Sequence, residues 1–518
     1  MYLEYSSMFK LAIYSHFFKI ENPTPRITQL VLSFCAKYIS YEFTRAPGQS
    51  KVIRTPGKVY ATRAKDNSEF RFHIGQLPAF LSMLEYNHIS PEMYDTVKID
   101  LYTPKPIKLK MLPKWKLRDY QEEIVDFITE DLVDDNRSRL VSLATGLGKG
   151  ISSLAAVNIY QTRTLITILP TYSEKWGIEI CDVFGTKATD TMIVAGSDQL
   201  KSLIRMAKDN EITQKFIIIS IKTLQNFYKA YELDPLSMEA EGYGCNPEEL
   251  CGLLQIGTMV IDETHQHFHA VFKMLLYTHV PRLVALSATL MSDNPTIDKI
   301  QHLVFPKEIR FDKVKMDKYI KVYAVGYNFA DIKRYHIRTS EYGSNNYSHN
   351  AFEKSILRNP VLLANYLNFI GYLIKTFYIQ HYTEGDKLAV FASSVAMCTK
   401  ITEYIKKQYP TKDVRRYVEQ DEYRNVIDAE IRVTTVLSAG TAVDIPNLRV
   451  VIMTNCILST ISNIQSLGRL RKLPDRDVKF VYSYSNQLHK QINTHRKRKD
   501  IFADRVASIK EFQSPVMV

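Results

Sequence analysis

The chain predicts an α/β protein: two tandem domains, each a parallel sheet covered by helices, behind a smaller N-terminal α+β domain. Three observations carry that expectation. Apolar, β-rich runs alternate with helical patterns in two successive series. Residues 1–110 stand outside the alternation. The length, 518 residues, exceeds what one hydrophobic core organises. The expected domains are 1–110, 111–310 and 311–518.

The N-terminal segment mixes helical and strand signals and is rich in aromatics. It breaks at Pro104-Lys105-Pro106, and Pro104–Lys114 reads as its linker. Lys51, Arg54, Lys58, Arg63, Lys65 and Arg71 are interleaved with Tyr60, Phe70 and Phe72. Basic residues among aromatics suit a surface that tracks a phosphate backbone and stacks bases; the competing reading is a strand pair whose aromatics are core. The first strand series is Leu140–Leu143, Thr164–Leu169, Phe216–Ser220, Thr258–Ile261 and Leu283–Leu286. The second is Leu388–Phe391, Asp413–Tyr417, Ile431–Thr434, Val450–Met453 and Val478–Tyr482. The junction is expected within Phe305–Asp331. Glu239–Glu249 and Ile337–Ser355 are polar, turn-rich tracts that read as exposed excursions.

Composition narrows the class. Hydrophobic residues make up 45%, as in globular proteins, and no apolar run reaches the length of a membrane span. Met1-Tyr2-Leu3-Glu4 does not open a secretion signal. Six scattered cysteines, of which only Cys245 and Cys251 lie close, form no zinc or iron–sulfur set and fit a reducing, cytoplasmic compartment. The formal charge of +12 favours a polyanionic partner once a nucleotide site is present.

Such a site is written in Ala144-Thr145-Gly146-Leu147-Gly148-Lys149, a glycine-rich turn between a strand-like and a helix-like run. Backbone N–H groups and a helix N-terminus then converge where a triphosphate fits, with Lys149 on the β/γ-phosphates. Val260-Ile261-Asp262-Glu263 ends a later strand; Asp262 suits Mg²⁺ and Glu263 suits the attacking water. Gly150 stands where a metal-ligating hydroxyl is usual. Water, Ser152, Ser153 or Thr145 fills that role, or the metal is held more weakly. Upstream, Leu117-Arg118-Asp119-Tyr120-Gln121 places an amide that can read adenine, or simply starts a helix capped by Asp119. Pro170-Thr171, Trp176 and Ser220 to Leu224 follow strands and can approach a phosphate backbone, with core packing the alternative for Trp176. His265, His267 and His269 alternate as metal ligands do in a strand, yet polar contact across a cleft is the stronger reading. Arg469 and Arg471, in Gln465–Lys472, can act as arginine fingers on a γ-phosphate or lie on a solvated helix face.

In this order the motifs resemble those of superfamily 2 helicases. Leu117–Gln121 looks like the Q motif, Ala144–Lys149 motif I and Pro170-Thr171 motif Ia. Asp262-Glu263-Thr264-His265 resembles a DExH box, Ser287-Ala288-Thr289 motif III, Ser438–Pro446 motif V and Gln465–Arg471 motif VI. The resemblance covers roughly residues 112–485. It implies two RecA-like domains, ATP and Mg²⁺ as cofactors, and a nucleotide between the lobes. Its nucleotide contacts would be Arg118, Gln121, the loop 144–150 and Asp444; its nucleic-acid contacts would be Pro170, Thr171, Ser220, Ser438 and Gly440. The sequence looks most like phage branch-migration helicases of the UvsW type. That similarity implies double-strand translocation on forks and junctions, in recombination, repair or replication, with residues 1–110 binding DNA. DNA is favoured over RNA through this resemblance alone. Two positions depart from the pattern. Gly150 lacks the hydroxyl, and motif VI is one residue short, so that Arg471 or Lys472 stands as second finger; Arg471 has the planar fork. An RNA-directed helicase, a translocase that does not separate strands, and a catalytically weak nucleotide switch remain the alternatives.

Overall fold

The computed structural model describes residues 7–45, 52–131, 137–143, 146–288, 294–312, 318–341, 347–418, 421–422, 424–436, 438, 445–457, 459–474 and 476–518. It divides into two compact units, Met1–Phe43 with Arg54–Val314 and Thr44–Ile53 with Lys315–Val518.

The N-terminal region contains a mixed sheet. Its elements are β1 (Lys10–Ile13), β2 (Phe17–Glu21), α1 (Pro25–Ala36), the two-stranded pair β3 (Ile39–Arg45) and β4 (Val52–Val59), β5 (Thr62–Arg63), β6 (Glu69–His73), α2 (Leu77–Tyr86) and β7 (Asp95–Lys98). The strand order is β5-β6-β2-β1-β7, antiparallel except for the parallel β1/β7 edge. Period-2 alternation sorts the residues of β6. Phe70 and Phe72 face a core shared with Phe18, Phe34 of α1 and Phe80 of α2. Arg71 and His73 point the other way, toward the parallel-sheet domain. The interleaved basic and aromatic surface expected here therefore does not form. Tyr60, Phe70 and Phe72 are core, and Arg71 is 1% exposed. Arg54, Lys58, Arg63 and Lys65 do lie at the surface, and Lys51 falls outside the described residues.

Seven strands of the first parallel sheet are described: β8 (Ser138–Ser142), β9 (Thr164–Ile168), β10 (Thr191–Val194), β11 (Phe216–Ser220), β12 (Thr258–Ile261), β13 (Arg282–Ser287) and β14 (Arg310–Phe311). Their order is β10-β11-β9-β12-β13-β8-β14, parallel at every pairing. The helices are α3 (Asp119–Thr129), α4 (Lys149–Tyr160), α5 (Ser173–Phe184), α6 (Ser197–Lys208), α7 (Ile221–Leu233), α8 (Leu250–Leu253), α9 (Phe268–Leu275) and α10 (Pro295–Val304). Alternate strand residues serve two cores. Val141, Ile166, Ile218 and Val260 pack with α3, α4 and α5; Leu140, Leu165, Ile217 and Met259 pack with α6, α7, α9 and α10. The second core extends to Phe17 and Tyr60, so the N-terminal sheet is packed onto this domain.

The second unit repeats the plan with β15 (Ile320–Tyr327), β16 (Lys387–Ala392), β17 (Val414–Tyr417), β18 (Ile431–Thr435), β19 (Leu448–Met453), β20 (Val478–Ser485) and β21 (Ser508–Gln513). These described strands run β17-β18-β16-β19-β20-β15-β21, again all parallel. Its helices are α11 (His349–Leu357), α12 (Pro360–Phe377), α13 (Val395–Gln408), α14 (Arg424–Ile427), α15 (Thr460–Leu467) and α16 (His489–Phe502). The boundary between the two units falls inside Phe305–Asp331, as expected, and the later part of that span forms β15, a strand paired on both sides. One expectation changes here. The tract Ile337–Ser355, expected as exposed loop, contains the start of α11, whose His349, Phe352 and Glu353 are buried. Ser348 caps that helix, its hydroxyl accepting from Ala351 N–H at 3.2 Å. Two parallel, helix-covered sheets in succession are tandem RecA-like domains. Among the described residues no helix is long and apolar enough to cross a membrane.

Candidate nucleotide site

The phosphate loop leaves the C-terminal end of β8 and runs into α4. Ala144 and Thr145 lie outside the described residues. Gly146 and Gly148 have φ of +88° and +78°, a region that favours glycine. Gly148 is also crowded: a Cβ there would fall 2.0 Å from Gln121 Nε2. Gln121 braces the loop. Its Oε1 accepts from Arg118 N–H at 3.0 Å, and its Nε2 donates to Leu147 O at 3.3 Å. Tyr120 OH donates to the same carbonyl at 3.2 Å, and Arg118 Nη1 donates to Tyr120 OH at 3.1 Å. The amide of Gln121 is thus engaged by the protein, with one N–H and one lone pair left over. Lys149 is buried, and its Nζ donates to Leu143 O at 2.8 Å, within its own loop.

The acidic pair leaves the C-terminal end of β12. Both oxygens of Asp262 accept hydrogen bonds, Oδ1 from Glu263 N–H at 2.8 Å and Oδ2 from Trp176 Nε1–H at 2.9 Å. Trp176 is buried in the core, as the packing alternative expected, and its indole N–H also aims the carboxylate expected to hold Mg²⁺. Glu263 adopts φ of +51°, a strained backbone for a residue with a side chain. Burial first, then the charge of Asp262, pushes its carboxyl above the usual range, against Lys149 and Lys175. Its Oε2 is buried and takes no hydrogen bond among the described residues.

His265 links this turn to β13, its Nδ1 lying 2.9 Å from Ser287 Oγ and its Nε2 3.5 Å from Glu263 Oε2. Burial, with Lys149 adding to it, pushes His265 down to about 3, so the ring is uncharged. His267 sits in the left-handed region before α9, and His269 Nε2 lies 3.1 Å from Val59 O. The three histidines do not converge on a metal. Among the described residues no three His, Cys, Asp or Glu side chains form a ready cation cage. Magnesium that arrives on nucleotide phosphates needs only one or two protein carboxylates, and Asp262 fits that demand.

Of the hydroxyls considered for the Gly150 role, Ser153 Oγ donates to Gly150 O at 2.8 Å. Ser152 Oγ is fully buried without a hydrogen bond among the described residues. Thr145 lies outside them. Neither sequence periodicity nor motif order pointed to Glu179, whose Oε1 would be 2.7 Å from a Cβ at position 150.

Of the expected nucleic-acid contacts, Pro170 is exposed and opens a 3-10 turn, Pro170–Tyr172, that runs directly into α5. Thr171 belongs to that turn. Ser220 is buried, and its hydroxyl caps α7 by accepting from Thr223 N–H at 3.1 Å. Ser438 Oγ accepts from Thr435 Oγ1 at 2.7 Å. Gly440, Asp444 and Thr289 lie outside the described residues. In the second unit Arg469 is buried just beyond α15, its guanidinium 5.5 Å from the Phe391 ring centroid, and Arg471 Nη1 donates to Gly468 O. Arg498, unforeseen, pins α15. Its Nε donates to Asn463 Oδ1 at 2.8 Å and its Nη2 to Asn455 O at 3.1 Å, over the Tyr482 ring. The basic run Arg496-Lys497-Arg498-Lys499 gives no sign that one of its four cations points inward.

Residues 114–292, which hold the loop, the acidic pair and Ser287, match the family model described as type III restriction enzyme, res subunit. This region is thus similar to a helicase-type ATPase domain. No curated protein matches the chain. Among solved structures, the helicase domain of Pyrococcus furiosus Hef aligns over 74% of this chain and 98% of that one, with 14% identity and a TM-score of 0.45. For a helicase-type domain the described geometry is apt: the loop, Asp262, Glu263 and Ser287 all leave the C-terminal edge of one parallel sheet, where open α/β sheets bind their ligands.

Proposed function

We propose that the protein is an ATP-driven DNA helicase or translocase that remodels forked and branched DNA. The observation that carries the reading is the convergence of Lys149, Asp262 and Glu263 at the C-terminal ends of β8 and β12, with Trp176 and Gln121 bracing them. The loop N–H groups and the N-terminus of α4 hold the phosphates, and the Lys149 ammonium exchanges Leu143 O for β/γ-oxygens. Asp262 would hold Mg²⁺, which when bound would supply charge neutralisation along the phosphates. Glu263 orients a water for in-line attack on the γ-phosphorus and accepts its proton as the bond to ADP breaks. A carboxyl raised by burial suits that proton transfer. Arg469 and Arg471 are the cations assigned to the γ-phosphate, Gln121 and Arg118 to the adenine side, and Asp444 to the nucleotide.

The DNA assignment rests on the motif resemblance and on the charge of +12. Pro170, Thr171, Ser438 and Gly440 are assigned to the DNA backbone. So are the exposed Arg54, Lys58, Arg63 and Lys65. The test is ATP turnover measured in parallel with single-stranded, duplex, forked and four-way DNA and with single-stranded RNA, alongside strand displacement. Stimulation greatest on forks and four-way junctions is expected, and Lys149→Ala should abolish it. Stimulation by RNA alone would move the protein to RNA, and turnover without strand displacement would make it a pure translocase. Nucleotide binding without turnover on any substrate would favour a switch, the reading that Gly150 invites.

A further inference from the structure

A Cβ on Gly150 would lie 2.7 Å from Glu179 Oε1. The Glu179 carboxylate thus stands beside the loop where a side chain at position 150 would begin. Gly150 is not among the glycines held at positive φ, so what the position demands is space rather than backbone freedom. Glu179 sits one turn beyond Trp176 on α5, and Trp176 is the residue that grips Asp262. A second observation comes from the neighbouring turn, where the buried Glu263 Oε2 has no hydrogen bond among the described residues, His265 Nε2 lying 3.5 Å away. One helix, α5, thus sets the Glu179 carboxylate against the loop and, through Trp176, orients Asp262, an arrangement that suits a divalent cation delivered on a polyphosphate.

We propose that Glu179 supplies the Mg²⁺ oxygen ligand that a hydroxyl at position 150 would otherwise give. The nucleotide-bound cation is then held from β12 by Asp262 and from α5 by Glu179. The inference rests on the ATP-binding reading above. A carboxylate replaces a hydroxyl, so the site trades a neutral ligand for a charged one and gains attraction for the cation.

The test uses the full chain and a fluorescent, non-hydrolysable ATP analogue, with free Mg²⁺ titrated. Glu179→Gln and Glu179→Ala should each raise the half-saturating Mg²⁺ about tenfold to a hundredfold. Without Mg²⁺ the same variants should bind the analogue as well as wild type or better, because a negative charge near the phosphates is gone; a structural defect would weaken both. Gly150→Ser added to Glu179→Ala should recover most of the lost Mg²⁺ affinity, since the hydroxyl then has room. Wild-type Mg²⁺ curves in both Glu179 variants would overturn the proposal while leaving the ATP reading intact. A rise reproduced by Ser152→Ala instead would transfer the role to Ser152. A deficit that Gly150→Ser does not relieve would assign Glu179 to packing. Wild-type protein that binds no analogue with Mg²⁺ present would overturn both readings.

Discussion

Arg71→Met is the sharpest probe of whether the N-terminal sheet is part of the motor unit or a detachable module. Arg71 reaches out of β6 and donates to Glu248 Oε2 at 3.2 Å and Oε1 at 3.1 Å, to Glu69 Oε1 at 2.6 Å and to Tyr231 OH at 3.0 Å. Its guanidinium also lies 4.5 Å from the Tyr277 ring centroid. Removing one partner of a buried pair costs about 3–5 kcal/mol when the other charge is stranded; Lys19 Nζ, 3.3 Å from Glu248 Oε1, stays as a counter-charge, so the lower end, about 3 kcal/mol, applies. For a unit of about 300 residues, an unfolding entropy of about 2.1 cal/mol/K per residue converts that into a melting-temperature loss of about 5 °C. Arg71→Met/Glu248→Met, which removes both charges, should recover more than half of it. The pH dependence follows from Glu248. Burial would raise its carboxyl, but Arg71 and Lys19 outweigh burial and hold it below the usual range. A depressed carboxyl contributes stability that is complete above the ordinary carboxylate range and is lost as pH falls below it. Thermal melts between neutral pH and pH about 3 should show that acid loss in wild type and a flatter limb in Arg71→Met. A single variant that melts within about 1 °C of wild type, with the same acid limb, would show that the ion pair holds nothing together.

Four further outcomes are expected. Glu263→Gln should bind ATP yet lose about 10²–10⁴-fold in turnover, measured by phosphate release, because the water loses its orienting base. Trp176→Phe keeps the ring but removes the 2.9 Å donor to Asp262, and should lower turnover about tenfold to a hundredfold with little change in melting. Arg498→Met removes two charge-assisted hydrogen bonds of about 1.5–3 kcal/mol each, and should destabilise the second unit in urea titrations. Reversing Arg54, Lys58, Arg63 and Lys65 to Glu should weaken fork binding in a fluorescence-anisotropy assay, with the deficit shrinking as salt rises; deletion of residues 1–105 is a poorer test, since it strips Tyr60 from its 5.0 Å contact with Phe272.

Most of the fold was legible where strands are buried on both faces. Phe216–Ser220 and Thr258–Ile261 are continuous apolar runs, and their structural bounds match the expected ones. The loop glycines were legible because chemistry fixes their spacing. What stayed hidden has physical causes. β10 lies at a sheet edge, with Thr191 and Met192 only half-buried and Ile193 exposed, and β14 is two residues long. β15 alternates buried and half-buried residues at its start and is missing from the expected second strand series. The polar residues of Glu239–Glu249 read as surface, yet the Glu248 side chain, only 10% exposed, is the partner of the buried Arg71. Phe70 and Phe72 read equally as stacking platform or core, because one strand's alternation does not say what covers each face. Trp176, Glu179 and Arg498 owe their roles to partners 86, 29 and 35 residues away in the chain, and no local pattern encodes such contacts.

Gly148 and Gly150 illustrate how differently two glycines of one loop are required. At Gly148 the backbone itself is left-handed, and the Gln121 amide fills the space where a side chain would start. At Gly150 the backbone is that of an ordinary helix, and the only demand for glycine among its described neighbours comes from the Glu179 carboxylate. Matched position by position against a motif, Gly150 counts as a missing ligand. Judged by packing, it is the residue that lets a carboxylate from α5 stand against the loop, on the same helix that orients Asp262 through Trp176. A broken local rule of this kind points outward, to the element that makes the break necessary. Here that element is α5, which lies outside every motif that marks the chain as helicase-like, apart from the turn that leads into it.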